Sequence, residues 1–198
     1  MEGYLALPGD PARRPFPGVL LCHPHPLYGG SMDSNVIIAV GRALAAKGIA
    51  ALRFNFRGVG QSQGSFAEGV GELEDAYSAL SFLSSRKEID PQRTAIVGYS
   101  FGGMIAFTAA AENDKLKAMV GISPVVPPGL LRNCSRPMLI IYGTEDDVVP
   151  PASILQEVEK MVLPGAVMGV DGADHFWWGF EKDIAEEVAD FLDGHLKN

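Results

Sequence analysis

The sequence has few cysteines and no lysine- or arginine-rich run, and each absence narrows the range of functions. Cys22 and Cys134 are its two cysteines. They lack the spacing of a metal site, so free thiols are the expected state. The net charge is −8. Contacts to phosphate dominate nucleic-acid binding, so an acidic chain without a basic run argues against nucleic acid as a partner.

Long apolar runs are also missing. No segment approaches the roughly 18 consecutive apolar residues of a membrane-spanning helix, and an acidic surface argues against binding to anionic membranes. Residues 1–10 lack the basic segment and the long apolar core of a signal peptide. We therefore expect a cytoplasmic protein that does not act at a membrane.

What the sequence does contain fits one ordinary globular domain. The chain has 198 residues, of which 47% are hydrophobic and 20% are charged. This length is typical of a single domain and allows a substantial core. We therefore expect one domain over residues 1–198.

Short apolar runs alternate with amphipathic segments along the whole chain. The predicted strands cover residues 19–22, 49–54, 94–97, 118–122, 138–142 and 166–170, and the predicted helices cover residues 35–47, 72–85, 101–111, 152–161 and 184–196. Apolar strands that alternate with helices predict an α/β domain whose mostly parallel sheet is covered by helices on both faces. Ligands of such sheets bind beyond the carboxyl ends of the strands.

Two segments, residues 60–64 and 98–102, match the pattern Gly-x-Ser-x-Gly, and only one has the right surroundings for a nucleophile. Ser100 follows the apolar run of residues 94–97 and precedes an apolar helix. A strand, a sharp turn and a helix form the setting that exposes a nucleophilic serine. Ser62 lies in a stretch rich in Gly, Ser and Gln with no helix directly behind it. We therefore predict that Ser100 is the nucleophile and that Ser62 is part of a loop.

A serine nucleophile needs a base and an acid that orients the base. His175 follows the predicted strand of residues 166–170 through a short turn, which places it at the ligand-binding edge of the sheet. Three carboxylates follow the preceding strand, and Asp146 and Asp147 are equally well spaced to orient His175. The order along the chain is serine, acid, histidine, which is one of the orders known for triad enzymes.

These segments resemble those of the α/β-hydrolase family. Residues 98–103 resemble its nucleophile elbow, and residues 172–176 resemble its histidine loop. Residues 143–150 resemble its acid loop, in which the third residue after the glycine is the triad acid. The resemblance therefore selects Asp146 and implies the α/β-hydrolase fold with the triad Ser100, Asp146 and His175.

Two further segments, residues 23–30 and 52–62, look closer to one subgroup of the family, the small lid-less hydrolases near the dienelactone-hydrolase-like branch. Dienelactone hydrolases use a cysteine nucleophile, whereas this chain has serine. The family usually inserts its lid after the strand matching residues 118–122. Here residues 123–136 are too few to fold over a site, so we expect no lid domain and an open, partly wetted pocket.

The resemblance also indicates which groups form the oxyanion hole, the pair of N–H donors that stabilises the negative charge of the tetrahedral intermediate. The amide of Phe101 is one donor, because it follows the nucleophile. The other comes from the loop after the first central strand, where Pro24 and Pro26 have no N–H. Aligned with the family's loop, His25 is the expected donor and Leu27 is the alternative.

His23 and His25 have the spacing of a metal-binding pair, because alternate residues of an extended segment share a face. Zinc sites need three or four protein ligands, and no partners for the pair are apparent. We therefore expect no metal, with His23 bracing the loop by hydrogen bonds. The sequence also has no intact dinucleotide or phosphate-loop motif, so no cofactor is expected.

Aromatic residues beside the triad are candidates for the substrate pocket. Phe176, Trp177 and Trp178 follow the base, and three consecutive large aromatics in a loop cannot all point inward. The substrate-binding candidates are Tyr99, Leu27, Phe176, Trp177 and Trp178, with Phe101 beside them. For Arg57, a structural salt bridge is favoured over contact with an anionic substrate.

The sequence therefore predicts a serine hydrolase that cleaves small carboxylic esters with short or accessible acyl groups through an acyl-enzyme. A thioesterase, a lactone hydrolase or a peptidase would use the same triad and is the alternative. A binding module that retains the triad without using it is a third hypothesis, because fold and function separate readily.

Overall fold

The computed structural model describes residues 1–10, 12, 14–162 and 165–197. Its strands are β1 (Gly3–Ala6), β2 (Phe16–Cys22), β3 (Ala50–Phe54), β4 (Ile89–Tyr99), β5 (Leu116–Ile122), β6 (Met138–Gly143) and β7 (Ala166–Val170). Its helices are α1 (Asn35–Ala46), α2 (Val70–Ser85), α3 (Phe101–Glu112), α4 (Pro151–Val158) and α5 (Glu181–Leu196). A single turn of 3₁₀ helix covers Pro26–Tyr28.

The strands form one seven-stranded sheet in the order β1-β3-β2-β4-β5-β6-β7. All neighbouring strands are parallel except β1, which pairs antiparallel with β3 at the edge. The predicted mostly parallel sheet is therefore confirmed. β1 was missed by the sequence analysis, because a four-residue edge strand carries too little alternation to show a period.

Side chains on the two faces of the sheet belong to two separate apolar clusters. In β2, Leu20 and Cys22 point into the cluster that also contains residues of α2, α3 and α4. Val19 and Leu21 point into the other cluster, which is covered by α1 and α5. All four side chains are fully buried. Because both faces are covered, β2 reads as a continuous apolar run, which confirms the prediction of helices on both faces.

Glu72 explains why α2 begins earlier than its apolar spacing predicts. The predicted start was Glu72, but the helix begins at Val70. The buried Glu72 carboxylate accepts hydrogen bonds from the backbone N–H groups of Ala67 (2.9 Å) and Gly69 (2.8 Å). A carboxylate at this position satisfies N–H groups that have no partner within the helix and thereby extends the helix at its N-terminus.

The connection between β5 and β6, residues 123–137, consists of turns and contains no helix or strand. It is held against α4 and the segment that follows it, because Gly129 N–H donates to Glu157 of α4 (2.7 Å) and Val162 N–H donates to the carbonyl of Arg132 (3.0 Å). The absence of a lid is therefore confirmed. Among the described residues, no helix combines the length and apolar character needed to cross a membrane.

Candidate active site

Ser100 occupies a strained turn between β4 and α3. Its backbone has φ 57° and ψ −118°, which is an unusual conformation for a residue other than glycine. The turn requires glycine at its neighbours. A Cβ at Gly98 would lie 2.0 Å from the carbonyl oxygen of Gly102, and a Cβ at Gly102 would lie 2.2 Å from that of Cys22. The predicted elbow is thus formed where β4, α3 and the end of β2 meet.

His175 connects Ser100 and Asp146 by hydrogen bonds. The Nε2 atom of His175 lies 3.1 Å from Ser100 Oγ, and its Nδ1 atom lies 2.8 Å from Oδ2 and 3.0 Å from Oδ1 of Asp146. All three residues are buried, with 4–7% of their surface exposed. The serine, the histidine and the acid follow β4, β7 and β6, so one edge of the sheet brings them together, as the sequence order predicts. A base oriented by a carboxylate and in contact with a serine hydroxyl is the arrangement that activates a nucleophile.

Asp146 is held in its charged form by several donors. Its Oδ1 atom accepts hydrogen bonds from the backbone N–H groups of Val148 (3.1 Å) and Val149 (2.8 Å). Burial raises the pKa of Asp146, but His175, Ser123 and the amide of Val149 outweigh burial and hold its pKa below the ordinary value. The buried Ser123 hydroxyl makes no hydrogen bond of normal geometry within the described ranges. Ser123 therefore acts on Asp146 as a nearby dipole.

The acid and histidine loops are packed against each other. Glu145 N–H donates to the carbonyl of Ala173 (3.0 Å), and Thr144 Oγ1 accepts from Gly172 N–H (2.9 Å). The two loops approach so closely at Gly143 that a Cβ there would lie 2.2 Å from the carbonyl oxygen of Ala173. The distance between Asp146 and His175 is therefore fixed by backbone contacts as well as by side chains.

Two of the predicted pocket residues support the histidine loop from inside the protein instead. Tyr99 is 3% exposed, and its hydroxyl donates to the carbonyl of His175 at 2.6 Å. Trp177 is fully buried in the α1–α5 cluster and has φ 64°. The prediction that Trp177 lines the pocket is therefore wrong, because its side chain is fully buried in the core, whereas Tyr99 is buried beside the ring of His175. Phe176 and Trp178 point outward and are 52% and 70% exposed.

The backbone at the end of β2 lies against the start of α3, because a Cβ at Gly102 would lie 2.2 Å from the carbonyl oxygen of Cys22 and 2.5 Å from that of His23. Leu27 N–H donates to Nδ1 of its neighbour His25 at 3.2 Å. Neither His25 N–H nor Phe101 N–H has an acceptor within the part of the chain that the structure describes. Phe101 is the first residue of α3, where an N–H has no partner inside the helix. These two amides are therefore available for a ligand, whereas the amide of Leu27 is occupied.

His23 links this loop to the loop after β3. Its Nε2 atom accepts the N–H of Phe56 (3.0 Å), so Nδ1 carries the proton and donates to the carbonyl of Pro24 (2.6 Å). The ring also packs edge-on against Phe56, with 4.6 Å between the ring centroids. Burial lowers the pKa of His23 to about 4, although the hydrogen bond to Pro24 opposes the shift. Both ring nitrogens are in use, so His23 cannot pair with His25 as a metal ligand. Its position agrees with the expected bracing role.

Ser62 and Arg57 have structural partners. Ser62 is buried, and its hydroxyl donates to the carbonyl of Asn55 (2.7 Å) and accepts the N–H of Glu2 (2.9 Å). The guanidinium of Arg57 donates to both carboxylate oxygens of Asp75, at 3.1 Å and 2.9 Å. The Gly-x-Ser-x-Gly match at residues 60–64 therefore has a structural role, in which Ser62 holds its loop in place. Arg57 forms the ion pair favoured by the sequence analysis.

Exposed apolar side chains lie on the loops at the triad edge of the sheet. They come from the loops after β2, β6 and β7, and comprise Leu27 (66% exposed), Tyr28 (86%), Val148 (54%), Phe176 and Trp178. A groove of about 650 Å³ lies between α1 and α5, and none of its lining residues belongs to the triad. The chemistry of the triad, and not the size of a cavity, therefore identifies the site. The sequence analysis did not single out Tyr28, Phe66 or Ser123, because only the folded chain brings them beside the triad.

The parallel sheet and the Ser-His-Asp arrangement at its edge are typical of serine hydrolases with an α/β fold, and comparison with known proteins agrees. Residues 18–138 match the family described as the alpha/beta hydrolase fold. The chain therefore belongs to the α/β-hydrolase family. Among its relatives, the uncharacterized protein RP471 of Rickettsia prowazekii (strain Madrid E) is 33% identical over 187 residues, which are 89% of this chain and 78% of the relative.

Solved structures agree with this assignment. XC6422 from Xanthomonas campestris, an α/β serine hydrolase without a lid, is 29% identical with a TM-score of 0.85, and the match covers 99% of this chain and 89% of that one. Est1E from Butyrivibrio proteoclasticus, solved with bound ferulic acid, is 19% identical with a TM-score of 0.86, and the match covers 99% and 95% of the two chains. The likeness to Est1E shows the fold alone. The chain is thus a lid-less homologue of the α/β serine hydrolases.

Proposed function

We propose that the protein is a serine hydrolase that cleaves carboxylic esters with short or accessible acyl groups. The observation that carries the proposal is the continuous hydrogen-bonded arrangement from Ser100 through His175 to Asp146. The buried carboxylate orients the imidazole, and the imidazole contacts the hydroxyl of a serine held on a strained turn. No simple structural role requires all three features together.

In the proposed reaction, Ser100 Oγ attacks the ester carbonyl carbon while His175 Nε2 takes the hydroxyl proton. The bond from the carbonyl carbon to the leaving oxygen then breaks, and His175 returns the proton to the departing alcohol. Water attacks the resulting acyl-enzyme with His175 again acting as the base, which releases the acid and restores Ser100. Asp146 fixes the tautomer of the imidazole and stabilises its cation.

The negative charge of the tetrahedral intermediate would be bound by the amides of Phe101 and His25. Both N–H groups lack an acceptor within the described ranges, as an oxyanion hole requires. The amide of Leu27 already donates to His25 Nδ1. This occupancy supports His25 over Leu27 as the second donor.

The open surface supports small, water-accessible esters as substrates. The short connection between β5 and β6 contains no helix that could enclose a long acyl chain. Leu27, Phe176 and Trp178 are exposed around the triad and remain our candidates for substrate contact. The ferulic acid bound to Est1E is consistent with a small carboxylic acid or ester as the ligand. The cytoplasmic location stays a prediction from the sequence.

Replacing each of the two candidate serines tests the proposal. Ser100→Ala should abolish cleavage of p-nitrophenyl acetate and labelling by a fluorophosphonate, located by mass spectrometry. Ser62→Ala is the matched control, because it removes the hydroxyl of the other Gly-x-Ser-x-Gly match. It should lower the melting temperature while both activities persist. A labelled Ser62, or full activity in Ser100→Ala, would overturn the assignment. Absence of any adduct in the folded wild-type protein would favour a binding module.

A further inference from the structure

Four aromatic rings form a continuous surface beside the nucleophile, which we call the aromatic shelf: Tyr28, His25, Phe66 and Phe101. The His25 ring lies at its centre, 4.6 Å from Tyr28, 4.8 Å from Phe66 and 4.9 Å from Phe101 between ring centroids. Tyr28 is 86% exposed, His25 and Phe66 are half-buried, and Phe101 is buried beneath them. The shelf therefore presents ring surface to solvent on a packed base.

The aromatic shelf lies next to the nucleophile, where it can contact the acyl group of an ester. Phe101 directly follows Ser100, and His25 and Phe101 also supply the proposed oxyanion amides. The leaving oxygen must lie within reach of His175 Nε2, because it receives its proton there. Phe101 joins the shelf to Ser100, so an acyl group that lies on the shelf leaves the side of His175 to the alcohol.

The loop that carries Phe66 is fixed in place. The Glu72 carboxylate accepts the N–H groups of Ala67 and Gly69, on either side of the exposed Glu68. A Cβ at Gly69 would lie 3.1 Å from the side chain of Met104, so this loop rests directly on α3. A surface held in this way before a ligand arrives lowers the entropic cost of binding.

The His25 ring acts as an uncharged member of the shelf. Its Nδ1 atom accepts the N–H of Leu27, so the proton of the neutral ring is on Nε2. Burial lowers the pKa of His25, and the negative charge of Glu72 opposes this shift only in part. A neutral imidazole packed among three other rings offers a flat surface to a planar apolar group.

Charge at this edge of the sheet disfavours anions. The loops around the triad expose the carboxylates of Glu68, Glu145 and Asp147. The guanidinium of Arg57, on the loop after β3, is bound by Asp75 and Glu74. An anionic acyl group on the shelf would therefore meet like charge at Glu68, which lies in the same loop as Phe66.

On the basis of the proposed ester hydrolysis, we propose that the preferred substrates carry an uncharged aromatic acyl group that lies on the aromatic shelf. The planar ring stacks on His25 and Phe66, and Tyr28 covers its outer edge. The alcohol part of the ester leaves on the side of His175, next to Phe176 and Trp178.

Four p-nitrophenyl esters with the same leaving group test this proposal: the acetate, the phenylacetate, the cyclohexylacetate and the 4-carboxyphenylacetate. Their kcat/KM values are each divided by the rate of hydrolysis by hydroxide. We expect the phenylacetate to exceed the other three. Phe66→Ala should lower the ratio of phenylacetate to acetate about five- to tenfold, and Tyr28→Ala about threefold, as expected for the loss of one aromatic contact.

Phe82→Ala is the matched control, because Phe82 is half-exposed on α2 and lines a groove with β1 and β3 instead of the site. It should leave the ratio unchanged. Tyr28 is almost fully exposed, so its replacement keeps the test valid even if Phe66→Ala fails to fold. The shelf is refuted if esters are cleaved through Ser100 while both shelf variants keep the wild-type ratio, or if the carboxylated ester is cleaved as fast as the phenylacetate. If no ester is cleaved and Ser100 is not labelled, the proposed function itself fails.

Discussion

The buried His23 makes a sharp prediction about stability in acid. Its ring is fully buried, and its pKa is lowered to about 4 from an ordinary value of 6.5. The unfolded chain therefore binds a proton at pH values where the folded protein does not. Because the unfolded chain takes up this proton first, the free energy of unfolding is highest above pH 6.5 and falls as the pH is lowered from 6.5 towards 4.

The size of the effect follows from the shift in pKa. Each unit corresponds to about 1.4 kcal/mol, so lowering the pH from 8 to 4 should remove about 3 kcal/mol of the free energy of unfolding through His23 alone. His23→Gln removes the titrating ring. The difference in stability between the wild type and His23→Gln should therefore shrink by about 3 kcal/mol over this range.

Urea unfolding followed by tryptophan fluorescence, repeated at half-unit steps from pH 8 to pH 4, measures this difference. Other titrating groups are common to both proteins and cancel in the comparison. His195→Gln is the matched control for the substitution itself, because it replaces an exposed histidine on α5 that lies outside the core. If the stabilities of the wild type and His23→Gln stay parallel across the range, His23 does not titrate as a buried neutral ring and the reasoning fails.

Two pairs of substitutions test the packing around the site. Gly102→Ala should prevent stable folding or cost several kcal/mol, because its Cβ would lie 2.2 Å from the carbonyl oxygen of Cys22. Gly194→Ala, in α5 with open space around it, should raise stability by about 0.5–1 kcal/mol; equal melting temperatures for the two variants would contradict the predicted clash. Trp177→Ala should cost about 3–5 kcal/mol by leaving a cavity in the core. Trp178→Ala, on the exposed neighbour, should change stability by less than about 0.5 kcal/mol, and a larger loss measured by urea unfolding would show that Trp178 is packed.

The sequence was sufficient to predict the arrangement of Ser100, Asp146 and His175, because each follows a strand and parallel strands end at one edge of the sheet. Local spacing determines where such residues emerge, and the topology brings them together. The choice of Asp146 over Asp147 depended on the resemblance to the family. The structure agrees with it through the hydrogen bonds to His175.

The roles of the neighbouring aromatic residues were not predictable in the same way. Tyr99 and Trp177 adjoin triad residues in the sequence, yet the alternation of β4 and the positive φ of Trp177 turn both side chains inward. Phe66 is distant from the triad in the sequence and reaches it because the capped start of α2 places its loop on α3. These orientations depend on contacts between elements, and sequence spacing carries no information about such contacts.

The connection between β5 and β6, which has no lid, also affects the kinetics that the proposed enzyme would show. In hydrolases with a mobile cover, opening of the cover sets the pace of substrate entry or product release. Here residues 123–137 contain no helix and are bonded to α4 through Gly129, so this connection cannot act as such a cover. Turnover should then depend smoothly on substrate concentration, without a lag and without a jump when the substrate begins to aggregate. If the proposed acyl-enzyme forms, water should reach it without the movement of a cover, and the intermediate should be short-lived.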